Sequence, residues 1–311
     1  MTRHLILFLF QVLFFCFFPS LLFAQREQAG LRLEQFGSAT LSNSLVPQED
    51  RARVSAQQAH LNVSYRSIIG EEGETIITNG FQYRFLRAMF DDVIFPQTGN
   101  LTVTYPYPRA HEYHFLFYDF LVLHSLSDAY TLVATLRPGI FSDMKNITRE
   151  HFRLEGAFFV DKQMSDNFTM GLGIARSSNF GRVLLLPILH VLYFGGSSFM
   201  LDVLLPSRAE LWFYPSKSIE TGVTVSLSGS QYAVGEPNPL SANQFGFANA
   251  TVSPIIRYNL VSKLYLSTEL GYAFVRRVEL VNNRLEGNAR FVQQFNPNNI
   301  WFLRFGVQMM Y

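Results

Sequence analysis

Apolar and polar residues alternate along most of this chain. In segment 263–275, Leu264, Leu266, Leu270, Tyr272 and Phe274 share one side of an extended chain, with Thr268 the lone polar member. Lys263, Ser267, Glu269, Gly271 and Ala273 take the other side. Successive side chains of a strand point to opposite faces, so a period of two predicts a strand with one greasy face and one polar or small face. The same pattern recurs at 168–175, 219–228 and 248–259. At the end of the chain Trp301, Leu303, Phe305, Val307, Met309 and Tyr311 oppose Arg304, Gly306 and Gln308. These segments run about 9–13 residues, close to the span of a tilted transmembrane strand.

The connections alternate as well. Ser127-Asp128, Asp161 to Asn167, Gly195 to Ser198, Pro215 to Ser218 and Ser262-Lys263 are short runs of turn-formers. Between them lie longer polar stretches at 142–150, 177–182, 231–246 and 278–299. Short turns at one rim and long loops at the other are the habit of bacterial outer-membrane barrels, whose strand number is even. On that parity 278–299 is an outer loop with room for a small hairpin, and 300–311 is the last strand. The expected fold is all-β: an antiparallel up-and-down transmembrane barrel of 12 or 14 strands. Two places leave the count open. Leu31 to Leu41 is either a wall strand or a periplasmic segment, and Pro206-Ser207 is either a tight hairpin or a bend in one longer strand.

Composition narrows the alternatives. Hydrophobic residues are 48% of the 311 and aromatics 15%, while charged residues are only 16%, against about 25% in an ordinary soluble domain. Beyond the first 24 residues no apolar run is long enough to cross a bilayer as a helix, and the best candidate, 183–194, is interrupted by Pro187 and His190. A greasy chain without such helices is either a soluble β protein with a large core or a barrel with its apolar face to lipid. A soluble sandwich does not easily explain Leu- and Phe-rich faces on nearly every strand with so few outward charges. A charge turned to lipid at mid-membrane costs roughly 2–4 kcal/mol, so the polar face belongs to the lumen.

The N-terminus reads as an export signal. Arg3 and His4 precede an apolar stretch from Leu5 to Phe23, and Ala24 stands before polar Gln25. Residues 1–24 are thus a signal peptide cut after Ala24, and 25–311 form the outer-membrane β-barrel. Cys16, the sole cysteine, lies in the leader, leaving the mature chain without disulfides, thiol nucleophiles or thiolate metal ligands. The leader contributes Arg3 and no acid, so one of the 25 basic residues is lost and the remainder equals the 24 acidic ones. No basic cluster suits nucleic acid.

Candidate chemistry lies on the inward faces. Alternation puts Arg208 and Glu210 on one side of their strand with Trp212, and Asp202 joins them if Pro206-Ser207 is a hairpin. Arg153, Glu155, Arg257, Glu269 and Arg304 extend this inward polar set. The set is either a charged constriction or a bracing ion-pair network, and filled interiors are usual in small barrels. His111-Glu112-Tyr113-His114 does not carry a metal site, because its histidines are three apart and a strand turns them to opposite faces. His124, His151 and His190 read as isolated. Trp212, Tyr214, Tyr258, Trp301 and Tyr311 lie near strand ends, as interfacial girdles require. No catalytic set, cofactor site or Gly-rich phosphate loop stands out; Gly171 and Gly173 read as room-making residues in mid-strand.

Three stretches then carry a resemblance: Ser142-Asp143-Met144-Lys145-Asn146-Ile147, Asn179-Phe180-Gly181, and Leu204-Leu205-Pro206-Ser207-Arg208-Ala209-Glu210-Leu211-Trp212. From about Phe115 to Tyr311 the chain resembles a family of uncharacterised outer-membrane β-barrel proteins built on a domain of unknown function. The likeness implies fold and location and supplies no activity. The terminal aromatic Tyr311 resembles the signal read by the barrel assembly machinery. Expected partners are outer-membrane lipid, lipopolysaccharide and that machinery, with no nucleic acid and a ligand left unassigned. Three functional classes remain: a narrow pore for small solutes, a closed barrel that presents its long loops, and a membrane-embedded lipid hydrolase.

Overall fold

The computed structural model describes residues 27–42, 53–70, 74–91, 94–96, 102–104, 109–178, 183–234, 243–282 and 291–310. Its strands are β1 (Glu27–Ser42), β2 (Arg53–Ile69), β3 (Thr75–Asp91), β4 (Ile94–Pro96), β5 (Thr102–Thr104), β6 (Arg109–Ser127), β7 (Tyr130–Ser142), β8 (Phe152–Ser165) and β9 (Phe168–Ser177). They continue with β10 (Leu184–Gly195), β11 (Phe199–Leu205), β12 (Arg208–Phe213), β13 (Ile219–Ala233), β14 (Gln244–Val261), β15 (Leu264–Asn282), β16 (Phe291–Pro297) and β17 (Ile300–Met310). All but β4 and β5 belong to one sheet, which closes because β14 pairs with β15 and β17 with β1. Strands β4 and β5 form a separate hairpin between β3 and β6. Strand β16 caps the line of β17, pairing with β15 and β1. The result is a closed antiparallel barrel of 14 strands. Closure suits an apolar exterior, since it joins the two ends of the sheet instead of leaving them as edges in lipid.

Both open points of the count are resolved. Strand β1 is part of the wall, paired from Ala29 to Phe36 with both β2 and β17. Pro206-Ser207 is the turn of a tight hairpin, with Leu204 opposite Arg208. The signal peptide, its cut after Ala24, and Tyr311 lie outside the described residues.

Strand lengths depart from the expected 9–13. Strands β1, β2, β3, β6, β13, β14 and β15 have 15 to 19 residues, whereas β11 and β12 have 7 and 6. About 9–11 residues cross a bilayer, so the long strands project beyond it. Their side chains change in step with that projection. On β3 the polar Gln82 and Arg84 point inward while Phe81, Tyr83 and Phe85 point out. Past Phe85 the pattern inverts: Leu86 and Ala88 are buried inside, and Arg87 is exposed outside. Strand β1 does the same, with Leu31 and Leu33 outside and Arg32 and Glu34 inside, then Gln35 outside and Phe36 inside. The outward residues Gln35, Gln57, Arg87 and Glu112 lie side by side on four neighbouring strands. One strand therefore meets lipid outside and water inside over part of its length, then water outside and a dry core inside.

That core fills the long-loop end. It joins Phe36, Val54, Leu86, Tyr113, Phe115, Phe117, Phe141, Tyr232, Phe245, Phe247, Val278 and Phe302. Rings from opposite sides of the barrel touch: Tyr113 of β6 stacks on Phe245 of β14 at 4.5 Å, and Phe36 of β1 meets Phe247 of β14 edge-on at 6.2 Å. Such pairs contribute about 0.5–1.5 kcal/mol beyond their burial. The tops of β13 and β7 also meet, Ala233 pairing with Ser142 in parallel and the Asp143 amide donating to the Ala233 carbonyl at 3.2 Å. This contact draws β13, β14, β15, β16, β1, β2, β3, β6 and β7 into a narrower ring around the aromatics. Strands β8 to β12 fall outside the ring and form a lower side wall.

Candidate functional site, a charged lumen under an aromatic core

Below the aromatic core the inner wall is polar. The hairpin turn at Pro206-Ser207 sets Asp202 opposite Glu210 and Leu204 opposite Arg208. Arg208 Nη2 donates to Asp202 Oδ2 at 2.7 Å, and its Nη1 lies 4.0 Å from Glu210 Oε1. His190 of β10 is opposite Leu204, with Nε2 3.6 Å from Asp202 Oδ1 and Nδ1 2.8 Å from Asp161 Oδ1. Asp161 is on β8, and Gly171 of β9 lies between it and His190 in the register. A Cβ at Gly171 would collide with the Asp161 carboxylate, so the glycine is what lets the contact cross β9. Asp161, His190, Asp202, Arg208 and Glu210 thus form one string over β8 to β12.

The string continues through an aromatic residue. Trp212 Nε1 donates to Glu210 Oε2 at 3.0 Å, and the Arg257 guanidinium lies 3.8 Å from the Trp212 ring centroid. Arg257 Nη1 reaches Glu220 Oε2 at 3.5 Å. A second group lies on β1, β15 and β17, where Arg304 is held between Glu34 at 2.7 Å and Glu269 at 2.6 Å. Ser253 Oγ donates to Glu269 at 3.0 Å. On β2, β3, β6 and β7 a third group pairs Arg137 with Asp119 at 2.9 Å and joins Gln82 to both Asp119 and His60. A fourth lies higher, where β8 faces β13. There Arg153 Nη1 donates to Gln231 Oε1 at 2.9 Å, and Glu155 accepts from the Ser178 amide at 2.8 Å and from its hydroxyl.

The eight residues singled out from sequence therefore do not make one cluster. Asp202, Arg208 and Glu210 meet, Arg257 joins them through Trp212, Glu269 and Arg304 pair with each other, and Arg153 and Glu155 sit apart near the β7–β13 contact. Asp161, His190, Glu34, Asp119 and Arg137 belong to the same lumen and escaped the alternation reading, whereas Glu220 lies on the polar face that the alternation at 219–228 gives. The run Asp161 to Asn167 reads as a turn in the sequence, yet β8 runs on to Ser165. His190 stands in an apolar run and is not isolated. Neither is His124, whose Nδ1 is 2.8 Å from Thr75 Oγ1, nor buried His151, held by Thr148.

Two girdle assignments also change. Trp212 is 2% exposed and turned into the lumen, and Tyr214 points its hydroxyl at Met200 Sδ. Both lie on the inward parity of β12, because Arg208 and Glu210 fix that face. Trp301 and Tyr258 do face outward. In the His111-to-His114 stretch, Tyr113 enters the core while His114 bonds Tyr83 at 2.8 Å outside it. Among the described residues no group of His, Cys, Asp and Glu has the arrangement of a metal site.

Chemically, the first three groups set cations against anions, while Arg153 and Glu155 are held by the neutral Gln231 and Ser178. Such pairing largely cancels the field along the lumen and leaves hydrogen-bonding groups in its place. Arg208 and Arg137 are the members most open to water, at 45% and 39% of their side chains.

Comparison with known proteins begins with solved structures. An outer-membrane channel from Pseudomonas putida F1 is similar at 10% identity and a TM-score of 0.45, covering 94% of this chain and 99% of its own. The NanC porin shares 9% identity at a TM-score of 0.38, over 90% of this chain and 98% of its own. The Pseudomonas putida toluene transporter TodX shares 9% identity at a TM-score of 0.44, over 90% and 89%. No curated protein sequence matches the chain. Residues 118–310, more than half of the chain and spanning most of β6 through β17, match the family model for a domain of unknown function (DUF6268), and the protein belongs to that family.

Proposed function

We propose that the protein is an integral outer-membrane barrel of a Gram-negative cell that conducts small solutes passively, with no catalytic step of its own. The single observation that carries this reading is a polar, charge-paired inner wall enclosed by an apolar outer one. Leu33, Leu61, Phe81, Leu172, Leu270 and Phe305 face outward on strands whose inner faces carry Glu34, His60, Gln82, Gly171, Glu269 and Arg304. A lumen lined with hydrogen-bonding groups holds water, and fourteen strands stand between filled eight-stranded barrels and the open 16–18-stranded porins. Because the charges are paired, the channel favours small neutral or zwitterionic solutes over ions of one sign. Its surroundings are membrane lipid and lipopolysaccharide, and the signal peptide and barrel assembly machinery deliver it there.

The aromatic core at the long-loop end favours a second reading, a closed barrel that presents its outer loops to a ligand. Single-channel recording of the refolded protein in a planar bilayer separates the two, with the mobility difference of boiled and unboiled samples as folding control. Discrete current steps support the channel. Silence from folded protein overturns it and favours the closed barrel.

A further inference from the structure

The wall is lowest where two of its strands are shortest. Hairpin β11–β12 rises only about 16 Å from its lower turns at roughly 3.3 Å per residue and a 45° tilt. An apolar band is about 25 Å tall. Lipid-facing residues continue above the hairpin tip: on β10, Leu185 is 71% exposed, four residues beyond Leu189, the last residue paired with β11. On β13, Leu227 donates its amide to the Ser207 carbonyl at the tip. Between that level and Ala233, which pairs with β7, no described strand pairs with β10 or β13 on their facing sides. Pro187, which has no amide hydrogen to offer a neighbour, sits in this stretch of β10, and proline in a sheet belongs at an edge.

The upper part of β13 does not fill the opening, because it has left the outer wall. Gly229 to Ala233 are buried on both faces. Gln231 receives the Arg153 guanidinium from the lumen face of β8, and Ala233 meets β7. Strand β13 therefore leans across the barrel, and among the described residues the outer wall between β10 and β13 is interrupted within the apolar band. The width corresponds to two strands, about 10 Å. Just inside the gap is an apolar layer of Phe159, Ile188 and Leu204, and one lumen-facing position below it lies the string Asp161, His190, Asp202 and Arg208.

We propose that this gap is a lateral portal through which small, mostly apolar molecules with one polar end pass between the outer leaflet and the lumen. An apolar body rests on Phe159, Ile188 and Leu204 while its polar end reaches the charged string. The gap width admits one ring or one acyl chain. The aromatic core bars an axial exit through the tall ring, and the portal offers a route around it. This names the route and substrate class of the proposed channel and rests on that reading.

The test uses lipid chains as the probe. In a Cys16→Ser background, single cysteines replace Leu204 or Ile188 at the portal, Asn62 on the inner face of β2 in the unbroken wall, and lipid-facing Leu61. Each carries a bimane fluorophore, and the protein is reconstituted in vesicles containing phosphatidylcholine spin-labelled on the acyl chain. The expected result is quenching at the Leu204 and Ile188 positions at least half that at Leu61, with several-fold less at Asn62. Quenching at both portal positions no greater than at Asn62 overturns the portal, even where current steps uphold the channel. Quenching at the portal in a barrel that carries no current supports the portal and overturns the channel. If the Leu204 variant fails the folding control, the Ile188 variant gives the same reading.

Discussion

Phe245 and Glu269 both face the inside of one barrel, on neighbouring strands, and they sit in opposite solvents. Phe245 is packed against Tyr113 and Phe90 from the far wall and against Tyr232 of neighbouring β13, within the apolar cluster. Glu269 lies lower, charged and held by Arg304 and Ser253. The boundary between the two regions follows the membrane. Where lipid covers the outside, the inner face carries the polar groups. Where the strands rise out of lipid, the outside takes the polar groups and the inside becomes an ordinary protein core. The inner face of a membrane barrel is therefore not polar throughout; its chemistry is set at each height by what lies on the other side of the wall.

The comparison can be broken first at its dry end. Phe245→Ala removes a fully buried ring from a core that closes from opposite sides, and should cost about 3–5 kcal/mol. Urea unfolding in micelles, followed by loss of the unboiled gel mobility, reads this directly. A loss below about 1 kcal/mol would mean that the ring end is not a packed core. Next is Arg304→Ala, which leaves Glu34 and Glu269 facing each other unpaired and should cost about 3 kcal/mol. Adding Glu269→Gln to that variant should restore part of the loss in the same assay, and no recovery would refute the ion-pair account.

The lipid boundary itself is tested on one strand. Leu61 and Gln57 point off the same side of β2, four residues apart. Leu61→Arg should destabilise by about 2–3 kcal/mol through a charge in lipid. Gln57→Arg, above the inversion, should change stability by less than about 0.5 kcal/mol. Equal effects in the reconstituted protein would erase the boundary drawn here. The smallest effect is expected at Arg208→Ala. Its side chain is nearly half open to water, so the ion pair with Asp202 contributes under about 1 kcal/mol. Conductance should change more visibly than stability, and an unchanged current would remove Arg208 from the conducting path.

Much of the fold was legible in the alternation. Strand faces at 168–175, 219–228 and 263–275 and the Arg208–Glu210–Trp212 face all follow from a period of two, whereas 278–282 and 291–297, read as part of a long outer connection, extend β15 and form β16. The inversion was legible too, as the doublets Glu34-Gln35, Gln57-Gln58 and Phe85-Leu86 where two like residues stand together. A single phase laid over each strand passes over them, and so the strands were measured too short. Asp161 and His190 were hidden for another reason: neither residue type nor local spacing says that a glycine on the strand between them allows contact.

Local chemistry along the chain thus determined that the protein alternates into strands, that one strand face suits lipid, and which parity turns inward, because these depend on side chains two residues apart. Tertiary structure alone decided that β13 leaves the wall for β7, that rings from opposite sides meet, and that the short wall hairpin β11–β12 leaves an opening. Those features depend on where distant strands lie around a closed circumference, and no local period encodes that distance.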